Sequence, residues 1–275
     1  MTPRHVAKAV IPAAGLGTRL LPATKSVAKE LLPLGCKPVI HWLAEEAAAA
    51  GVREITVVIS PEKQAVREYF TPDPGLRARL AGREHLLHDL DALLARVTFH
   101  FVHQHEPLGL GHAVLQARAS TGNEPFFVLL GDAPILAARP VCAQLAACCD
   151  DAESVVLGLR RVPLEQTGRY GIVAGHELGP GLHRVDGLVE KPSPEAAPSR
   201  LAIAGRYLLT PAVYDSLQRQ KPGTGGEIQL TDAIAAAVAE TAVYGLVYDG
   251  HRFDVGNPTG YAEAQREYLA AAAGS

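Results

Sequence analysis

The chain has 275 residues, 48% of them hydrophobic, which is enough for a sizeable core in one large domain. Its 26 basic and 29 acidic residues leave a formal charge of −3, so it carries no basic footprint for nucleic acid or an anionic membrane. No apolar stretch is long enough to span a bilayer, and the start, Met-Thr-Pro-Arg-His, lacks the form of a signal peptide. Cys36, Cys142, Cys148 and Cys149 show no metal-ligand spacing, so reduced thiols in a cytoplasmic protein without zinc are expected.

In chain order, the apolar run Val6–Ile11 reads as a first buried strand. It breaks at Pro12 into a small-residue loop, Ala13 to Gly17, followed by the cations Arg19, Lys25 and Lys29. Glycines let a backbone approach a phosphate closely, and loop N–H groups cradle its oxygens. A triphosphate site is therefore the functional reading, and a tight turn in an ordinary α/β unit is the plain one. There is no Gly-x-x-x-x-Gly-Lys-Ser/Thr and no full Gly-x-Gly-x-x-Gly, and the second strand, Ile55–Ile59, ends at Ser60 and not at a ribose-binding acid. These features exclude a P-loop and argue against a nicotinamide dehydrogenase.

Between those strands, residues 39–50 read as a helix closed by Gly51. Helix 62–70 follows, then a Pro/Asp/Gly turn at 71–75 and a helix over 76–96. Strand Val97–Val102, a glycine turn, helix 112–119 and strand Phe126–Leu130 complete the first half. The alternation predicts an α/β fold with a mostly parallel sheet between helices, and ligands in such sheets bind beyond the carboxyl ends of the strands. The glycine loop, Gln104 and Asp132 all follow predicted strands, so one sheet edge can gather them. After about residue 150 the texture changes to strands 154–159, 171–173 and 201–209 between turns and Pro-rich loops, as in a sugar-sized lobe that can continue the same sheet. Helices 231–240 and 260–273 close the chain.

Asp132 follows the apolar run 127–130 and Gly131, and Asp254 stands in Phe-Asp-Val-Gly-Asn-Pro. Carboxylates at strand ends suit Mg²⁺, with a turn aspartate as the plainer alternative for each. Lys191 can pair with a phosphate as a point charge and Glu190 can accept sugar hydroxyls, or the two form an exposed ion pair. A Gln104 amide offers the donor and acceptor that a uracil edge needs. His112 reads as a packing or capping residue.

Taken together, Ala-Gly-Leu-Gly-Thr-Arg (14–19), Lys-Glu-Leu-Leu-Pro-Leu (29–34), Glu-Pro-Leu-Gly-Leu-Gly-His-Ala (106–113), Val-Glu-Lys-Pro (189–192), Gly-Glu-Ile-Gln-Leu-Thr-Asp (226–232) and Phe-Asp-Val-Gly-Asn (253–257) resemble the bacterial UTP–glucose-1-phosphate uridylyltransferases over nearly the whole chain. The resemblance implies a Rossmann-like, mostly parallel mixed sheet flanked by helices, with a sugar-binding lobe. It implies one domain over 1–275: a nucleotide part at about 1–150, a sugar-phosphate part at about 151–257 and a terminal helix. It also implies Mg²⁺, UTP and glucose 1-phosphate as cofactor and substrates, and a homodimer or homotetramer. On the resemblance, Ala13, Ala14, Gly15, Gly17 and Thr18 hold the nucleotide, and Gln104 and Gly109 meet the uracil. Arg19, Lys29 and Lys191 are the catalytic cations, and Asp132 and Asp254 hold the metal. Gly171, Glu190, Lys191, Gly205 and Glu227 bind the sugar phosphate. The chain departs from the family pattern at Ala28, at Gly131-Asp132-Ala133-Pro134, and at His103 and His105 flanking Gln104. A sister enzyme using dTTP or another sugar 1-phosphate and a non-catalytic sugar-nucleotide sensor are the rival readings. A glycosyltransferase is the third, and its Asp-x-Asp motif is absent at Asp132.

Overall fold

The computed structural model describes residues 3–149, 151, 153–223 and 226–273. The first half runs β1 (Lys8–Pro12), the short ribbon β2 (Pro33–Leu34) and β3 (Lys37–Pro38), α1 (Val39–Ala49), β4 (Glu54–Ile59), α2 (Gln64–Tyr69), α3 (Pro74–Arg79) and α4 (His88–Leu94). It continues through β5 (Thr98–His103), α5 (Leu110–Gln116), α6 (Arg118–Thr121), β6 (Phe126–Leu129), β7 (Ile135–Leu136) and α7 (Val141–Ala147). The second half contains β8 (Val155–Arg161), β9 (Gly171–Gly179), β10 (Leu182–Glu190), β11 (Leu201–Leu209), α8 (Ala212–Arg219) and α9 (Leu230–Ala237). It ends with β12 (Val243–Val247), β13 (His251–Arg252) and α10 (Pro258–Ala273).

Nine strands of the described residues form one sheet in the order β5-β4-β1-β6-β11-β8-β12-β10-β9. The parallel pairing expected from β–α alternation covers β5, β4, β1 and β6. From there the sheet turns mixed. Strand β11 runs antiparallel to both β6 and β8, β12 is parallel to β8, and β10 and β9 form an antiparallel hairpin. The second half thus extends the same sheet.

Strand alternation divides the core between the two faces. Ala9, Ile11, Val57, Ile59, Phe127 and Leu129 pack with α1, α7 and α10, whereas Val10, Val58, Phe126 and Val128 pack with α5, α8 and α9. Both faces are covered, which is why β1, β4 and β6 read as nearly continuous apolar runs. Helix α1 buries Val39, Ile40, Leu43, Ala44, Ala47 and Ala48 at helical spacing, and Gly51 ends it at φ 100°.

The helix expected over 76–96 is broken. Asp73 caps α3 through the Leu76 N–H at 2.9 Å with Pro74 in the first turn, so the helix begins inside the expected turn. Gly82, at φ 80°, then interrupts it before a 3₁₀ turn at Glu84–Leu87 and α4. The helix expected over 112–119 starts earlier, at Leu110, and divides into α5 and α6.

Candidate active site

The glycine loop leaves β1 after Ala13, whose N–H still donates to the Val58 carbonyl at 2.7 Å. Beyond it the chain leaves the sheet, and Gly17 adopts φ 68°, the left-handed region that glycine enters at least cost. Thr24 Oγ1 donates to the Gly17 carbonyl at 2.8 Å and closes the loop. Lys29 and Glu30 follow on a 3₁₀ turn, Lys29–Leu31. Glu30 is fully buried and pairs with Lys63 at 2.8 Å. Burial pushes the Glu30 carboxyl upward against the pull of Lys63 and Lys29.

Strand β6 delivers Asp132. Gly131 precedes it because a Cβ there would lie 2.8 Å from the Pro12 carbonyl oxygen and 3.2 Å from Glu30 Cγ. The small antiparallel pair β7–β13 then folds the chain back, with Phe253 N–H on the Pro134 carbonyl and Val255 N–H on the Asp132 carbonyl, each at 3.0 Å. This register sets Asp254 beside Asp132. Lys29 Nζ lies 2.7 Å from Asp132 Oδ2, and Arg19 reaches Asp132 at 3.8 Å and Asp254 at 3.5 Å. Burial alone would raise the Asp132 carboxyl, but the Lys29 ammonium beside it wins and holds it below the usual carboxylate range. The same contact outweighs burial at Lys29 and raises its ammonium.

Gln104 sits just beyond β5, its N–H on the Ile59 carbonyl at 2.9 Å. Its Nε2 donates to the Gly109 carbonyl at 3.1 Å and lies 3.0 Å from His112 Nδ1. Gly109 has φ 98°, and a Cβ there would lie 2.8 Å from Glu227 Cβ and 2.9 Å from the Ile228 carbonyl oxygen. The Gly109 turn and residues 227–229 are tied by the Ile228 N–H on Leu108 and the Gly111 N–H on Ile228, at 2.7 and 2.8 Å.

These parts line a cavity of about 450 Å³ bounded by the loop Ala14–Thr18, Lys29, Gln104, Gly109, Asp132 and Glu227. A second cavity of about 320 Å³ is bounded by Arg19, Asp132, Arg169, Tyr170, Gly205, Arg252 and Asp254. Leu130 and Asp132 belong to both, so the two compartments meet at a carboxylate. Among the described residues, no Ser, Cys or His lines either one.

Comparison with known proteins gives the family. The nucleotidyl transferase family model matches residues 8–271. A UTP–glucose-1-phosphate uridylyltransferase of Streptococcus pyogenes is 44% identical over 270 residues, covering 96% of this chain and 88% of the relative. The chain belongs to the UTP–glucose-1-phosphate uridylyltransferase family. A UDP-glucose pyrophosphorylase solved with UDP-glucose superposes with a TM-score of 0.89 at 35% identity, over 96% of this chain and 98% of that one. A UTP-bound enzyme of this kind from Acinetobacter baumannii gives 0.87 at 33% identity, over 96% and 93%. The chain is thus a nucleotidyltransferase with the mixed α/β sheet of that family.

Against the family expectation, Ala14, Gly15, Gly17, Thr18, Lys29, Gln104 and Gly109 gather in the first compartment, and Arg19, Gly205 and Asp254 in the second. Ala13 lies buried beneath the loop. Gly171, Glu190 and Lys191 stand together just outside the second compartment. Gly171 pairs with Glu190 across β9 and β10, and the Lys191 N–H donates to the Tyr170 carbonyl at 3.0 Å. Lys191 adopts φ 46°, a conformation that costs a non-glycine residue on the order of 1 kcal/mol and clusters at functional sites. Its ammonium rests 3.1 Å from Glu190. Glu227, expected on the sugar side, lines the first compartment because residues 227–229 fold against the Gly109 turn.

Sequence reasoning missed Lys63, Arg169, Arg252 and the pair Glu46–Arg206. Arg169 approaches Asp254 at 3.3 Å. Arg206 is fully buried, forms a two-pronged bond to Glu46 at 2.9 and 2.7 Å, and donates from Nη1 to the Gly205 carbonyl at 2.9 Å. It thereby steadies the irregular stretch of β11 between Ile203 and Tyr207 where Gly205, at φ 83°, faces the cleft.

Among the described residues no group of three or more His, Cys, Asp or Glu forms a protein-only metal cage. The Asp132–Asp254 pair still fits Mg²⁺, which is held by one or two carboxylates with substrate phosphates and water completing its shell. No helix of the described residues is long and apolar enough to cross a membrane.

Proposed function

We propose that the cleft transfers the uridylyl group of UTP to glucose 1-phosphate, giving UDP-glucose and pyrophosphate. The observation that supports this most is the meeting of two compartments at Asp132. Main-chain donors and Lys29 lie on one side, and Arg19, Arg169 and Arg252 on the other. A phosphate oxygen of glucose 1-phosphate attacks the α-phosphorus of UTP, and the bond to the bridging oxygen of pyrophosphate breaks. A sugar phosphate is ionised at neutral pH and needs no base, so direct displacement asks for no side-chain nucleophile.

The task of the site is to bring two polyanions together. In this reading Arg19 and Lys29 neutralise the triphosphate, Lys191 swings from Glu190 to the sugar phosphate, and Glu190 accepts from sugar hydroxyls. Gly171 and Gly205 allow close backbone approach. Positioning and charge neutralisation in a partly dry cleft provide most of the acceleration. Asp132 and Asp254 would hold Mg²⁺, which supplies charge stabilisation on phosphate oxygens when bound. Gln104 Nε2 is engaged within the protein, so Oε1 remains for the base. It is an acceptor for an N3–H, which uracil and thymine carry and cytosine lacks. Cytoplasmic location and a homodimeric or homotetrameric state belong to the same reading and rest on the family resemblance.

The test is pyrophosphate release with Mg²⁺, crossing UTP, dTTP, CTP, ATP and GTP with glucose, galactose and N-acetylglucosamine 1-phosphates. The fastest pair should be UTP with glucose 1-phosphate, with CTP poor. Preference for dTTP would move the assignment to the sister specificity. A folded protein silent with every pair would favour a sensor.

A further inference from the structure

Lys63 is a cation that holds the glycine loop from behind. It follows β4 at the start of α2 and is outside the lining of either compartment. Its side chain is largely buried, and Nζ donates to the Ala13 carbonyl at 2.7 Å, to the Gly15 carbonyl at 2.7 Å and to Glu30 Oε2 at 2.8 Å. An ammonium has three donors, and all three are used.

Two of these bonds fix the orientation of peptide units. The carbonyl of Ala13 and the N–H of Ala14 share one planar trans unit and point in opposite directions, as do the carbonyl of Gly15 and the N–H of Leu16. Holding both carbonyls on Lys63 therefore turns the N–H groups of Ala14 and Leu16 away from Lys63. Both residues line the first compartment. Among the described residues, no main-chain N–H from Ala14 to Gly17 has a protein acceptor. Successive N–H groups without protein partners make an anion-binding concavity, and they keep that aim only if something holds the carbonyls behind them.

We propose that Lys63 is a positioning residue that sets the loop's N–H groups for the phosphates of the nucleotide, with Glu30 fixing its ammonium. Lys63 acts through the backbone and does not touch the ligand. Its loss should weaken nucleotide binding and leave the sugar-phosphate compartment alone. The proposal rests on the reading of the loop as the phosphate cradle.

The experiment compares Lys63→Met, Lys63→Cys and Gly17→Ala in steady-state kinetics, with thermal melting as the fold control. Lys63→Met should raise the KM for UTP roughly tenfold or more, the scale of losing charge-assisted hydrogen bonds, with the KM for glucose 1-phosphate within about twofold of wild type. Treating Lys63→Cys with 2-bromoethylamine builds a thia-analogue of lysine and should recover most of the UTP affinity. Wild type treated in the same way controls for its own four cysteines. An unchanged KM for UTP in Lys63→Met, with an impaired Gly17→Ala, overturns the proposal and keeps the cradle. If neither variant changes the KM for UTP, the cradle reading falls and the proposal with it. Equal loss for both substrates without recovery on aminoethylation also overturns it, because that is the behaviour of a merely structural lysine.

Discussion

Asp132→Asn is expected to lower turnover by about a thousandfold or more, measured as single-turnover UDP-glucose formation at saturating substrates across a Mg²⁺ titration. Asp132 is, among the described residues, the one charged side chain common to both compartments, and it touches Lys29 and lies near Arg19. An amide keeps the shape but removes the charge that organises these cations and binds a hard metal. Charge stabilisation of this kind is worth several kcal/mol, and each 1.36 kcal/mol is about a factor of ten in rate. The loss should persist at high Mg²⁺ in a protein that still melts cooperatively, although losing the charge beside Lys29 costs some stability. Turnover within about tenfold of wild type would place the metal elsewhere.

The second large effect concerns stability. Glu46→Ala should destabilise the fold by about 3–5 kcal/mol, because it leaves the Arg206 guanidinium buried without its counter-charge. In a chain of this size that corresponds to a fall in melting temperature on the order of 10 °C. The double variant Glu46→Leu with Arg206→Met should recover much of this loss, since an apolar pair needs no compensation. Activity should remain depressed in the double variant, because Arg206 Nη1 no longer braces the Gly205 carbonyl behind the backbone that lines the sugar-phosphate compartment. Equal melting temperatures for Glu46→Ala and wild type, read by calorimetry, would refute the claimed role of the pair.

The features legible in the sequence were local ones. A buried strand followed by small residues and cations marks the loop at 13–19. An apolar run followed by Gly-Asp marks Asp132, because the end of a parallel strand is where a side chain meets solvent and ligand. Strands β1, β4 and β6 were recognisable as short apolar runs, and helix α1 by the spacing of its apolar residues. Other features depend on contacts distant in sequence. Lys63 meets the loop from 48 and 50 residues away, and Glu46 and Arg206 are 160 apart. Neither carries a local signal. The antiparallel run of β11 was hidden because a fully buried strand reads the same in either direction. Lys191 was legible as a charge, but its left-handed backbone is visible only in three dimensions.

The central claim is that the sugar phosphate attacks UTP directly, with no uridylyl group passing through a protein side chain. The stereochemistry at the α-phosphorus tests it most directly. One diastereomer of UTPαS is turned over with glucose 1-phosphate, and the configuration of the resulting thio-substituted UDP-glucose is determined by ³¹P NMR. A single in-line displacement predicts inversion. Retention would require two displacements through an enzyme-bound uridylyl group, and would contradict the account.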